Sequence, residues 1–329
     1  MLCARFGGLL LLCTSHALAL PVLFSGWGAG QFGLVVTTPT VNVAGNVTAA
    51  TGNVQDQVIA VRSGVDLAFS SGTITGAIDF ADGAGKTTGG SCAADPGGVC
   101  NVNSASVFTG GTVTGVTLQY TAAVTNAVNE WNNLVAASAW GSSTGALAVN
   151  LSGAGPFVLC AGSGHANCTS TNNSTTTRTI NGVTQTAYLF DISSTNGAVG
   201  GNITIEAANN TMVVLLYNGT NALNLSKTVT LADGVTSDQV LLNVTSANGM
   251  NNTGAMNFTG AIAVKDTNEI LNGATINGRL YLGGTATASL NSSFVLNAPS
   301  DLNSPEPGTE MMFGGALMLL ALVARRRRS

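Results

Sequence analysis

The sequence predicts a mainly β fold, wound as a solenoid, with one substantial helix packed against its side. Three observations carry this. Short segments in which apolar and polar residues alternate are separated by Gly, Asn and Ser, the pattern of strands with one buried face. Charged residues make up only 8% of the 329 positions while 45% are apolar, so a core is available and the surface has to be neutral, built from hydroxyls and amides. One stretch, between Tyr120 and Trp140, changes to helical spacing.

At the N-terminus, Arg5 precedes an apolar run from Phe6 to Cys13, and Ala17-Leu18-Ala19 follows as a small-x-small cleavage pattern. This predicts a signal peptide over residues 1–19. At the C-terminus, Pro305-Glu306-Pro307 precedes an apolar segment and then Arg325, Arg326, Arg327 and Arg328. A transmembrane helix over about 309–324 is expected, shorter than the roughly 20 residues of a comfortable span, and the arginines orient it with the body of the chain outside the inner membrane.

This tail of Pro-Glu-Pro, apolar helix and arginines resembles the PEP-CTERM sorting signal, also known as the C-terminal domain of ice-binding proteins. The resemblance spans only about the last 25 residues, within a sorting tail of 301–329, and implies recognition by an exosortase that cuts near the Pro-Glu-Pro. It implies an inner-membrane-anchored precursor that ends at the cell surface or outside the cell, often beside exopolysaccharide.

The body, over 20–300, carries twelve acidic and six basic residues, with Asp301 just beyond it. The six, Arg62, Lys86, Arg178, Lys227, Lys265 and Arg279, are scattered singly, which argues against nucleic acid as a partner. Strands are expected from Leu34 to Phe80. A Gly-rich excursion follows over Asp82 to Val102. The helix, at about 120–140, places Val124, Val128, Trp131 and Val135 on one stripe, with Asn126, Asn129, Glu130 and Asn133 opposite. Trp131 and Trp140 are expected to pack rather than to stack on sugars. Strands return from Ala148, with a polar loop from Cys168 to Thr179. The most regular alternation lies between Asn202 and Asn297, as in Val240-Leu241-Leu242-Asn243-Val244. Stacked rungs would bury apolar positions in one continuous core without long open edges, which favours a solenoid over a sandwich. Cys92 and Cys100, and Cys160 and Cys168, have equal spacing and suit two local disulfides among three possible pairings.

The segments Val229 to Gly234, Asp238 to Val244, Phe258 to Ala263 and Asn272 to Leu280 look like the closing rungs of the bacterial and fungal ice-binding-like β-solenoids, and are similar to choice-of-anchor A surface domains. The resemblance covers about a hundred residues and implies a right-handed β-helix (β-solenoid) with one long flanking α-helix. The N-terminal half departs from both patterns.

Reactive constellations are sparse. Gly28-Ala29-Gly30-Gln31-Phe32-Gly33 spells a dinucleotide fingerprint but leads into a strand, and Gly85-Lys86-Thr87 lacks the first glycine of a phosphate loop. Gly141-Ser142-Ser143-Thr144-Gly145 spells a nucleophile elbow with His165 as the one histidine left after processing. His165 lies between Cys160 and Cys168 but brings too few ligands for a metal, so no metal and no cofactor is expected. Asp79 and Asp82, and Asp233 and Asp238, are expected as solvated turn acids. The Thr-x-Thr triplets Thr73/Thr75, Thr112/Thr114, Thr228/Thr230 and Thr285/Thr287 would make a hydroxyl and methyl lattice if rungs stacked them on one face, although threonine is common on any exposed strand. Asn-x-Thr sequences such as Asn46-Val47-Thr48, Asn218-Gly219-Thr220 and Asn257-Phe258-Thr259 are expected by chance in so Asn- and Thr-rich a chain. The function expected from all this is that of an exported, non-catalytic cell-surface or extracellular-matrix protein, for adhesion or exopolysaccharide association. An ice-binding, antifreeze-like protein and a secreted hydrolase are the alternatives.

Overall fold

The computed structural model describes residues 32–49, 57–69, 74–81, 99–103, 106–109, 116–120, 123–265, 269–285, 287–291 and 293–299. Within them the chain is mainly β, coiled into stacked parallel rungs with one helix, Ala123–Val135, along the side. The signal segment with Ala17 and Ala19, the tail with Pro305 to Pro307 and Arg325 to Arg328, and Cys92, Thr73, Thr112 and Thr114 lie outside the described residues. Among the described residues no helix is long and apolar enough to cross a membrane.

Each rung visits three faces. Asn257 and Thr259 stand on an open face, the chain turns a corner at Gly260, and Ala261 to Val264 continues on the face that the helix covers. Glu269–Leu271 forms the third face, and Ala274 then returns in register with Met256, one turn further on. Gly260 and Gly278 are register partners at this corner, with φ of 138° and 151°, a region that L side chains rarely enter.

Stacking order differs from chain order. Leu34–Val36 pairs on one side with Leu280 to Leu282 and on the other with Ile59 to Val61, so the last rungs of the chain dock against its first. From there the coil runs outward through Ile74–Phe80 to Val116–Tyr120. The helix then runs back along the stack, and the chain rebuilds the coil from Leu147–Asn150 towards Ala274–Leu282. Thirteen helical residues reach about 20 Å, or about four rung spacings of about 4.8 Å, so the helix covers part of this return path and the turns after it complete the rest.

Inward side chains form a continuous column, Phe190, Leu215, Leu242, Ile262, Leu280, Leu34, Ile59 and Ile78, each in register with the next and each buried. On the helix side the outward residues are buried too: Leu216, Ala263, Tyr281, Val35 and Ala60 share one apolar cluster with the helix, and Asn243 and Asp79 stand in the same register column. The alternation expected for Val240 to Val244 therefore does not become one of burial, since all five residues are covered, as are all six of Met212–Tyr217.

The helix is shorter than the predicted span, ending at Val135 before a turn in which Gly141 N–H donates to the Ala136 carbonyl. Val124, Val128, Trp131 and Val135 are all buried, joined by Ala127 and Leu134. Trp131 stacks on Tyr281, with ring centres 5.2 Å apart and planes at 8°, and the Tyr281 hydroxyl donates to Asn132 Oδ1 at 2.6 Å. Trp140 is equally buried; its indole N–H donates to Gln185 Oε1, and the Arg178 guanidinium lies over its ring.

Part of the loop expected from Cys168 to Thr179 is instead a hairpin. Thr175–Ile180 pairs antiparallel with Val183 to Tyr188 across Asn181 and Gly182, both at positive φ, the residues that a two-residue turn of this kind favours. Ile180 at its tip is buried with the helix, and Asn133 donates to Asn181 Oδ1 at 2.6 Å, so the hairpin clamps the end of the helix.

Candidate binding face

The open face carries two files of outward side chains, because residues two apart on a strand point the same way. Asn202 and Thr204, Thr228 and Thr230, Asn257 and Thr259, Thr275 and Asn277, and Val295 and Asn297 follow one another on five successive rungs. The register continues to Asn46 and Thr48, and from Thr48 to Thr75. Val295 is the one apolar residue in the five pairs, and every member of those pairs is at least partly exposed. Between them Ile203, Val229, Phe258, Ile276 and Leu296 point inward and are buried, which fixes the backbone beneath the files. The resulting grid repeats at about 4.8 Å across rungs and about 6.7 Å along each strand.

Neighbouring side chains hold one another in place. Asn297 Nδ2 donates to Asn277 Oδ1 at 2.8 Å and Asn277 Nδ2 to Asn257 Oδ1 at 3.2 Å, an amide ladder over three rungs. Thr204 and Thr230 hydroxyls are 3.3 Å apart, and Thr228 N–H donates to Asn202 Oδ1.

Of the predicted triplets, Thr228 and Thr230 stand in these files, and Thr75 continues their register. Thr287 does not join them: it pairs with Thr40 on the third face, and Thr285 precedes it there. The remaining members of the grid are Thr-x-Asn and Asn-x-Thr pairs, with Val295 and Asn297 as the exception. Two of them, Asn46-Val47-Thr48 and Asn257-Phe258-Thr259, are the glycosylation-like sequences whose spelling gave no hint of a shared face.

Of the acids expected in solvated turns, Asp233 is an exposed turn residue and Asp79 is not. Asp79 is fully buried, neither carboxylate oxygen has a hydrogen-bond partner among the described residues, and burial pushes its carboxyl up to about 6. Burial also raises Asp191. Asp238 pairs with the buried Arg279 guanidinium and Asp233 with His165, so these two acids serve different partners rather than each other. Asp82 lies outside the described residues. Cys160 and Cys168 are joined, with an S–S distance of 2.05 Å and Cα atoms 5.8 Å apart. Ser142 of the elbow-like sequence bonds Thr144 in the turn after the helix.

No protein-family description matches the chain, and no curated protein matches it in sequence. Solved structures do. An antifreeze ice-binding protein from an Arctic yeast matches at 15% identity and a TM-score of 0.41, over 88% of this chain and 97% of its own. The ice-binding protein of the Antarctic ascomycete Antarctomyces psychrotrophicus matches at 15% identity and 0.38, over 82% and 95%. An ice-binding domain of Shewanella frigidimarina matches at 11% identity and 0.36, over 82% and 96%.

Proposed function

We propose that the open face binds ice, ordering water over its hydroxyl and amide grid, and that the protein acts outside the cytoplasm without catalysing a reaction. The observation that carries this is the pair of Thr/Asn files on five successive rungs. Such a surface suits a lattice of water better than a flexible solute. Its donors and acceptors are neutral, so they do not impose the radial hydration of a charge, and the threonine methyls lie between them. The amide ladder and the buried strand residues fix the side chains beforehand, so little ordering entropy is lost on contact with a rigid lattice.

The disulfide supports an oxidising destination, which agrees with the export signal and sorting tail expected from the sequence. Adhesion to polysaccharide has less support. Trp131 and Trp140, the candidates for stacking on sugar rings, are both fully buried against the helix face. For a hydrolase, the histidine that an elbow serine needs has Nδ1 against Asp233 and Nε2 against the Ala161 carbonyl, so neither ring nitrogen is turned to Ser142 or Ser143.

Ice recrystallisation in frozen sucrose tests the reading. Purified protein is expected to keep ice grains small at low concentration. Thr230→Tyr combined with Asn257→Tyr, both exposed on the grid, is expected to abolish the effect, whereas Thr287→Tyr on the third face leaves it. Grain growth unaffected by the unaltered protein at high concentration would reject ice binding.

A further inference from the structure

Beside the open face, near the end of the stack where the short strand Ser170–Asn172 caps Phe157–Ala161, three side chains from consecutive rungs converge. His165 lies in the loop closed by Cys160 and Cys168, Glu206 stands on the next rung in register with Cys160, and Asp233 follows Ala232, which is in register with Glu206. Their ligand atoms all lie within 4.8 Å of one another. We propose that His165, Glu206 and Asp233 form a site for a divalent transition-metal ion of the zinc class, clipping the first three rungs of this end together.

The imidazole carries the case. Nε2 lies 3.3 Å from the Ala161 carbonyl oxygen and Nδ1 lies 2.7 Å from Asp233 Oδ2, with Glu206 Oε2 at 3.9 Å. Both ring nitrogens thus face oxygen acceptors, while a neutral ring has a single N–H. A hydrogen bond from Nε2–H to a backbone carbonyl is the usual outer support of a metal-bound histidine, and it directs the Nδ1 lone pair at the two carboxylates. Around a tetrahedral zinc with bonds of about 2.0–2.1 Å, ligand atoms stand about 3.3 Å apart. The observed 2.7 and 3.9 Å bracket that separation, so small rotations of two flexible carboxylates complete the site.

One nitrogen and two carboxylate oxygens suit zinc, with a water or a solute completing the coordination. The cysteines are not ligands, being bonded to each other. The setting is shaped and partly closed: the His165 and Glu206 side chains are 10% and 20% exposed, and Asp233, at 53%, leaves a way in. Gly162 and Gly164, with φ of 95° and 96°, and Asp233 itself, at 61°, hold the two loops in conformations that aim these groups at each other.

The test uses the full, oxidised protein after dialysis against a chelator, titrated with zinc chloride by calorimetry and followed by thermal melting. One zinc per chain is expected, with a rise in Tm of roughly 5 °C or more at saturation. His165→Gln and Asp233→Asn are each expected to lower the affinity at least tenfold and remove the Tm shift, while circular dichroism shows the same β content. Absence of stoichiometric zinc binding would overturn the site, leaving a histidine and carboxylate ion pair. Zinc binding that survives His165→Gln, or binding of calcium in preference to zinc, would overturn it equally. Ice recrystallisation is not a readout of this site, so its outcome and that of the open face are separable.

Discussion

Asp79 continues the register column of Tyr281, Val35 and Ala60, away from water. The carboxyl of an unfolded chain titrates near 3.8, and here it is pushed up to about 6 by burial. Between these values the folded protein binds more protons than the unfolded one, so the stability associated with this group is full below about 4 and is lost as pH rises through about 6. Melting temperature is therefore expected to rise as pH falls from 7 to 5. Asp79→Asn should flatten that slope and add roughly 1–3 kcal/mol at pH 7, which denaturant titration at both pH values checks. A steeper loss in the variant would show that the carboxylate is held by groups beyond the described residues.

Residue-level features were legible in the sequence where one local period governs them. The helix stripe from Val124 to Val135 is such a case, because every member meets the same surface. Its partner Tyr281 was not legible: the stacking joins residues 150 positions apart, and nothing in a strand's alternation names its neighbour across the stack. For the same reason His165 could be weighed only against the cysteines beside it, while Glu206 and Asp233 arrive from the next two rungs.

Among the elements, the long strands Met256–Val264 and Ala274–Leu282 carry the most consequence, since each serves the open face at one end and the helix face at the other. They bend at Gly260 and Gly278. A Cβ on Gly278 would run into the Gly260 carbonyl, and its φ of 151° is unfavourable for any other residue. Gly278→Ala is expected to cost about 2 kcal/mol or more by denaturant unfolding, against a few tenths for an alanine at exposed Thr253.

Period 2 served the open face, where one side of each strand is wet, and failed on the helix face, where Met212–Tyr217 is covered on both sides. The hairpin at Asn181 and Gly182 was legible in principle from that dipeptide between two Thr-rich runs; composition drew most of its first strand, up to Thr179, into a polar loop instead.

At the scale of the whole molecule, stacked rungs place chemically alike pairs side by side from different parts of the chain. Asn46 and Thr48 stand next to Val295 and Asn297 because the first rungs continue where the last ones stop. That circular order was hidden in the sequence, since parallel rungs with the same alternation are interchangeable as partners. The solenoid class was nonetheless legible from even turn spacing, but Thr-x-Thr spelling names only one of the five pairs on the candidate face, Thr228 and Thr230. Seen together, the threonine and asparagine pairs make a single neutral sheet surface on a helix-braced scaffold, and water in its crystalline form is the partner proposed for it.

Growing a polycrystalline ice hemisphere slowly in a dilute protein solution tests this most directly, by the fraction of protein taken into the ice. The unaltered protein should be concentrated in the ice, and the Thr230→Tyr, Asn257→Tyr variant should be left in the liquid with its melting temperature unchanged. Rejection of both proteins by the ice, or equal uptake of both, would contradict the assignment of the open face.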